Sequence, residues 1–174
     1  MHPWEQTITN NKYEHQNTTS SIFCLTLVLA ACKNNNADIS SDKPISNNVF
    51  ASLDYEEAIA YDYDGEGDVE IIDKKGKLAP KIKNQITLTR QQAIKVTNIF
   101  WSKSSYGGNI AACFDPHLGI VFYKANKPKF YVSVCLDCNY LVSSIKIPNS
   151  EESGFSDKGA KNIYDFEKQI KLIQ

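Results

Sequence analysis

Two apolar stretches separated by a short polar segment are the feature that most constrains the fold. Residues 118–124 read LGIVFYK and residues 129–136 read KFYVSVCL, with ANKP between them. In the second stretch every other residue is apolar, as in a strand that has one face on a core. A loop this short joins neighbouring antiparallel strands, because a parallel connection is much longer. The sequence therefore predicts a β-hairpin, in which the numbers of paired residues sum to about 251 to 253.

Further strand and helix patterns flank this hairpin. Residues 57–73 predict two short strands around a glycine-rich turn, and residues 77–88 predict another extended segment, which Pro80 restricts to an edge or a loop. Thr89 begins a capping-box pattern and so predicts a helix start. A second amphipathic helix is predicted after Ser156. This order of elements predicts an α+β fold, with a small antiparallel sheet and two packed helices.

Composition limits the classes of protein. The chain has 174 residues, 42% of them hydrophobic, with 19 basic and 20 acidic side chains. That is enough apolar residue content for one core. A nearly balanced charge argues against nucleic-acid binding, which usually requires a basic face. No Ser-His-Asp pattern and no pair of glycosidase-like carboxylates indicates an enzyme.

One strongly apolar run lies near the N-terminus. Residues 22–31 carry no charge, and they are too few to cross a bilayer, which takes about 20 residues. The run fits the hydrophobic region of a secretory signal. The sequence therefore predicts a signal peptide over residues 1–31. The long polar leader before Ser21 indicates a translation start downstream of Met1.

The end of this run, Leu29-Ala30-Ala31-Cys32, resembles the lipobox of bacterial lipoproteins. The resemblance implies that the Cys32 sulfur receives diacylglycerol, that the chain is cut before Cys32, and that the new amine is acylated, as with palmitate. Several acyl chains on one residue give stable membrane attachment. The resemblance implies a membrane-anchored protein of the bacterial cell envelope. Lys33 and Asn34 do not provide the aspartate that keeps some lipoproteins at the inner membrane. An outer-membrane location, facing the periplasm or the cell surface, is therefore expected.

The segment after Cys32 is polar. Residues 32–48 are rich in Asn, Ser and Asp and contain no aromatic residue. Such a composition buries too little apolar surface to offset the entropy of ordering. We predict a flexible tether over residues 32–48 and a single α+β domain over residues 49–174.

An acidic stretch matches part of a calcium-binding pattern. An EF-hand loop places oxygen ligands at fixed positions around a central glycine, here Gly67. Gly76 and Pro80 prevent the helix that should follow such a loop. The sequence therefore favours an acidic turn, with a weak surface calcium site as the alternative. The candidate calcium ligands are Asp62, Asp64, Glu66, Asp68 and Asp73.

The remaining cysteines are concentrated around the hairpin. Cys24 lies within the predicted signal, which leaves Cys113, Cys135 and Cys138 in the domain, together with the single histidine His117. The predicted hairpin register places Cys113 opposite residues 138–140 and His117 opposite residues 134–136. The four side chains are therefore expected near the end of the hairpin that lies away from its loop.

Three interpretations of this cluster remain open. In an oxidising compartment, Cys113 could form a disulfide with Cys138 or Cys135 and leave one thiol over. Alternatively, Cys113, His117, Cys135 and Cys138 provide a ligand set that zinc accepts. Redox catalysis by the Cys135-x-x-Cys138 pair is the least favoured, because a β-rich segment follows and such a pair normally precedes a helix.

The region around this cluster is similar to an uncharacterised group of bacterial sequences, many of them lipoproteins. The shared residues are Cys113, Pro116, Val121-Phe122-Tyr123, Cys135 and Cys138, within residues 55–145. The resemblance implies no activity. The sequence predicts a binding or structural domain, crosslinked at the hairpin end and attached to the membrane through lipid. No cofactor is expected in this interpretation, and zinc belongs to the alternative of a metal-binding or thiol-active protein.

Overall fold

A computed structural model describes residues 47–173, and the fold is α+β as predicted. A five-stranded antiparallel sheet has the strand order β2-β1-β4-β5-β6, and β3 pairs with β7 in a second, two-stranded sheet. The elements are β1 (Glu57–Tyr63), β2 (Ile82–Thr87), α1 (Arg90–Trp101), β3 (Tyr106–Gly108), β4 (Leu118–Lys124), β5 (Lys127–Cys135), β6 (Tyr140–Ser143), β7 (Gly154–Phe155) and α2 (Asp157–Gln169).

The predicted hairpin is confirmed, with its register. Leu118 pairs with Val134 and Lys124 pairs with Lys127, so the residue numbers sum to 252 and 251. The loop contains only Ala125 and Asn126, whose φ angles are +49° and +59°. Two central residues with positive φ define the type I′ turn, whose twist matches that of the flanking strands. The second strand consequently begins at Lys127, two residues earlier than the sequence pattern indicates.

One face of the sheet carries the helices. Both helix starts are confirmed: the Thr89 hydroxyl accepts the backbone N–H of Gln92 at 3.2 Å, and Ser156 caps α2 through the N–H of Gly159 at 3.1 Å. The apolar stripes of the two helices pack on alternate residues of β4, which lies at the centre of the sheet. Together they form the main core, which includes Val96, Ile99, Phe100, Leu118, Ile120, Phe122, Ile163 and Phe166.

The connection between β1 and β2 covers the opposite face. A second short strand was expected around residues 69–71, but these residues form a loop. Both edges of β1 are already paired, with β2 and with β4, so this segment has no open edge beside it. Its apolar side chains pack on the sheet instead, where Ile71 is fully buried and its N–H donates to the Ser133 hydroxyl at 2.9 Å.

Gly119 makes this second layer fit. A Cβ atom added at Gly119 would lie 2.3 Å from Cγ1 of Ile71, which is closer than packed carbons approach. We expect Gly119→Ala to lower the free energy of unfolding by about 2 kcal/mol, because overpacking forces the loop away from the sheet. Urea denaturation measures the effect. Ile71→Ala removes the contacts with Cγ1 and Cδ1 and leaves only the one with Cβ, so the same substitution should cost less in that background. An equal cost in both backgrounds would contradict this packing.

Several predictions concern residues outside the described part. The signal peptide, Cys32 and most of the tether fall within residues 1–46. Between residues 47 and 173, neither helix has the length and apolar content that crossing a membrane requires.

Candidate functional site

The predicted cysteine cluster lies where β4 begins and β5 ends. The His117 N–H donates to the Val134 carbonyl at 3.1 Å, within the predicted range of partners. Upstream, the Ala111 N–H donates to the Cys138 carbonyl at 3.0 Å, and the Asp115 N–H donates to Cys138 Sγ at 3.3 Å. The segment before β4 therefore runs beside the turn that follows β5.

Cys135 and Cys138 form a disulfide. Cys135 is the last residue of β5, and a tight turn brings the two Cα atoms to 5.1 Å, within the normal range for a disulfide. Asn139 ends this turn with a φ of +65°. Both cysteines are buried beneath the rings of Phe114 and Tyr140, whose centroids are 4.8 Å apart. The disulfide thus closes the turn between Cys135 and Cys138.

Cys113 is the cysteine left over. The sequence offered Cys113 as the partner of Cys138 or Cys135, but the structure joins those two to each other, and Cys113 is exposed with a free thiol. It lies in the irregular segment before β4, where Pro116 cannot donate a ladder hydrogen bond. The crosslink therefore closes a local turn and does not tie the two strands together.

The predicted metal ligands do not form a coordination set. Cys135 and Cys138 are joined to each other, and His117 is hydrogen-bonded through its backbone to β5. Among residues 47–173, no group of three or more His, Cys, Asp or Glu side chains is arranged to hold a metal ion. The segment after Cys138 continues as β6, so the helix that a redox cysteine pair normally precedes is not found there.

The acidic stretch forms two separate turns. Asp64 accepts the Glu66 N–H and the Lys81 ammonium, both at 3.1 Å, and these bonds lower the pKa of its carboxyl group. Asp73 accepts the N–H groups of Lys77 and Lys75, each at 2.8 Å, which likewise lowers its pKa. The turn interpretation fits these contacts, because the carboxylates bind neighbouring backbone groups rather than converge on one point.

A cleft lies beside the hairpin end. Its volume is about 650 Å³, and it lies between α2, the loop after β1 and the two chain segments that flank the hairpin end. His117 is half-buried in this cleft; burial lowers its pKa, against the opposing effect of Asp137 and Asp62. The lining also includes Tyr63, Lys83, Asp115, Leu136, Tyr164 and Glu167.

Glu167 is the least expected of these residues. Its side chain is only 1% exposed, and neither carboxyl oxygen has a hydrogen-bond partner. Burial, with a smaller contribution from the Asp62 carboxylate, raises its pKa to about 7. The sequence does contain a signal for it: Glu167 follows Ile163 by four residues and precedes Ile170 by three, so it lies on the buried face of α2.

Comparison with known proteins finds no relative: no family model, no curated protein and no solved structure matches the chain. The site is therefore interpreted from its own geometry. It combines a buried disulfide at the end of a hairpin, an exposed free thiol, and an acidic cleft with a buried carboxyl group.

Proposed function

We propose that this chain is a lipoprotein of the bacterial cell envelope, whose α+β domain binds a small ligand. In this proposal Cys32 carries the lipid, residues 32–48 are the tether, and the outer membrane is the favoured site of attachment. The Cys135–Cys138 disulfide carries the proposal, because buried disulfides persist in proteins that fold outside the cytoplasm. The resemblance of residues 29–32 to a lipobox supports the same compartment independently.

The cleft supports a binding role for the domain. Small-molecule sites are concave and enclose about 300 to 1,000 Å³, with a few polar groups directed at the ligand. The cleft beside the hairpin has this size, and charged and aromatic side chains converge on it. The disulfide and the hairpin register stiffen its wall at Leu136 and Asp137.

Detergent partition tests the proposed attachment. The full chain, produced in a bacterium that processes lipoproteins, should enter the detergent-rich phase of Triton X-114, because several acyl chains bind micelles strongly. Recovery of the protein in the aqueous phase would contradict the proposal.

A second candidate function is thiol–disulfide exchange, favoured by the position of Cys113. Its exposed thiol lies two residues from Ala111 and from Asp115, both of which contact Cys138. The Cys113 thiolate would attack Cys138 Sγ and form a Cys113–Cys138 disulfide. Cys135 would then leave as a thiolate and take a proton from water.

Alkylation without a reductant distinguishes the two functions. If the domain only binds a ligand, iodoacetamide should label Cys113 and leave Cys135 unlabelled, because Cys135 stays in the buried disulfide. Exchange predicts that Cys135 becomes labelled in the wild type and stays unlabelled in Cys113→Ser. Peptide mass spectrometry measures both sites. Label on Cys135 that persists in Cys113→Ser would contradict the exchange.

A further inference from the structure

We propose that the cleft beside the hairpin end binds a small organic ammonium compound, with the Glu167 carboxylate as its partner. This inference rests on the binding role proposed for the domain and names the ligand class.

Glu167 is a buried acceptor that the protein leaves without a donor. Both oxygens are shielded from solvent, and no group of the described residues donates a hydrogen bond to either of them. A buried carboxyl group without partners costs stability, so such a group is retained where something else supplies its partners. Glu167 belongs to the lining of the cleft, so a small shift of the side chains around it would let a bound ligand reach its carboxyl group.

The charge of the cleft favours a cation. Five carboxyl groups and two lysines line it. Lys81, just outside the lining, pairs with Asp64 and Glu66 and offsets one of their two negative charges. Lys161 is paired with Asp165 on the same helix, so carboxylates remain in excess. Asp115 and Asp137 add negative charge at the hairpin end. The potential inside therefore attracts positive ligands, and low dielectric walls strengthen that attraction.

The type of cation follows from the donors that Glu167 needs. A primary ammonium group has three N–H donors, enough for both carboxyl oxygens and one more acceptor, and its charge balances the carboxylate. A bare metal ion is disfavoured, because residues 47–173 offer no set of three ligands for one. The exposed Tyr164 ring, with Leu136 and Ile173, provides apolar surface for the carbon chain of an amine.

The pH dependence of binding follows from the groups that face Glu167. Its pKa is raised to about 7 by burial and by Asp62, so the carboxylate that binds an ammonium forms mainly above neutral pH. Burial lowers the pKa of His117, which is therefore neutral above pH 6.5. The other charged groups that line the cleft are Asp64, Glu66, Lys83, Asp115, Asp137 and Lys161.

Isothermal titration of the full chain in detergent micelles with n-butylammonium chloride tests the inference. At pH 8 we expect saturable binding, with no binding of n-butanol, which has similar size and no charge. Glu167→Gln should weaken binding at least about thirtyfold, because it removes the charge that pairs with the ligand. Glu152→Gln, an exposed change outside the lining of the cleft, should bind as the wild type does.

Three results would overturn the inference: no binding of butylammonium, equal binding of butanol, or unchanged binding by Glu167→Gln. If Glu167→Gln does not fold, the wild type alone suffices, because its affinity should be about fourfold higher at pH 8 than at pH 6.5. Equal affinity at the two pH values would then overturn the inference. Triton X-114 partition of the same preparation measures lipid attachment separately from ligand binding. A negative result in one experiment therefore leaves the other experiment interpretable.

Discussion

Replacing Cys32 by serine is expected to move the protein from the membrane fraction to the soluble fraction. In the proposed function, the Cys32 sulfur is the site of diacylglycerol attachment, and the cut before Cys32 creates the amine that is acylated. A serine hydroxyl is not the thiol that this modification requires, so both lipid attachments are lost together. A single acyl chain binds membranes only marginally, and a protein without any acyl chain has no lipid anchor. The change in distribution should therefore be nearly complete.

Fractionation of cells and immunoblotting measure this effect. Cys24→Ser is the matched control, because Cys24 lies inside the predicted signal and should not affect attachment. Metabolic labelling with palmitate should mark the wild type and Cys24→Ser, but not Cys32→Ser. Membrane association of Cys32→Ser equal to that of the wild type would rule out this anchor.

The folded domain is expected to lose stability as pH rises from 4.5 to 7, through Glu167. Burial raises the pKa of Glu167 from 4.5 to about 7, so the folded state holds its proton more tightly than the unfolded state. Stability from this group is therefore complete below pH 4.5 and is lost as pH rises to 7. The shift corresponds to about 3 kcal/mol in the free energy of unfolding. Well above pH 7 the carboxyl group is ionised in both states, and its contribution stays constant.

Urea denaturation at pH 5, 6, 7 and 8 tests this prediction in the wild type and Glu167→Gln. His117 contributes with the opposite sign below pH 6.5, because burial lowers its pKa. That contribution is present in both proteins, so the difference between them isolates Glu167. The wild type should lose about 2.5 kcal/mol relative to the variant between pH 5 and pH 8. Parallel stability curves would show that Glu167 is not buried as a neutral group.

Local signals in the sequence predicted most of the fold. The two-residue turn fixes the register of β4 and β5, because a loop this short allows few other pairings of the two strands. Thr89 and Ser156 marked both helix starts, since a cap binds the first turn of its own helix. The prediction of a strand at residues 69–71 was wrong. The alternation of apolar and polar residues there reflects a loop that is buried against Gly119, and a loop packed on a sheet can show the same pattern as a strand.

The site was predicted in part. Register arithmetic brought His117 and the Cys113 segment beside the end of β5, as the structure has them. The pairing of the cysteines depends on the tight turn between Cys135 and Cys138, which Asn139 ends with a positive φ. The spacing of the cysteines in the sequence does not indicate this turn. Glu167 was not predicted, because the amphipathic pattern of α2 is recognised by its apolar residues and Glu167 is charged. A carboxyl group within that stripe is the signal to look for.

Mass spectrometry of the N-terminal peptide of the mature protein tests the central proposal most directly. We expect a peptide that begins at Cys32 and carries diacylglycerol on the sulfur and an acyl group on the amine. An unmodified peptide that runs uncut from Leu29 through Cys32 into the tether would contradict it.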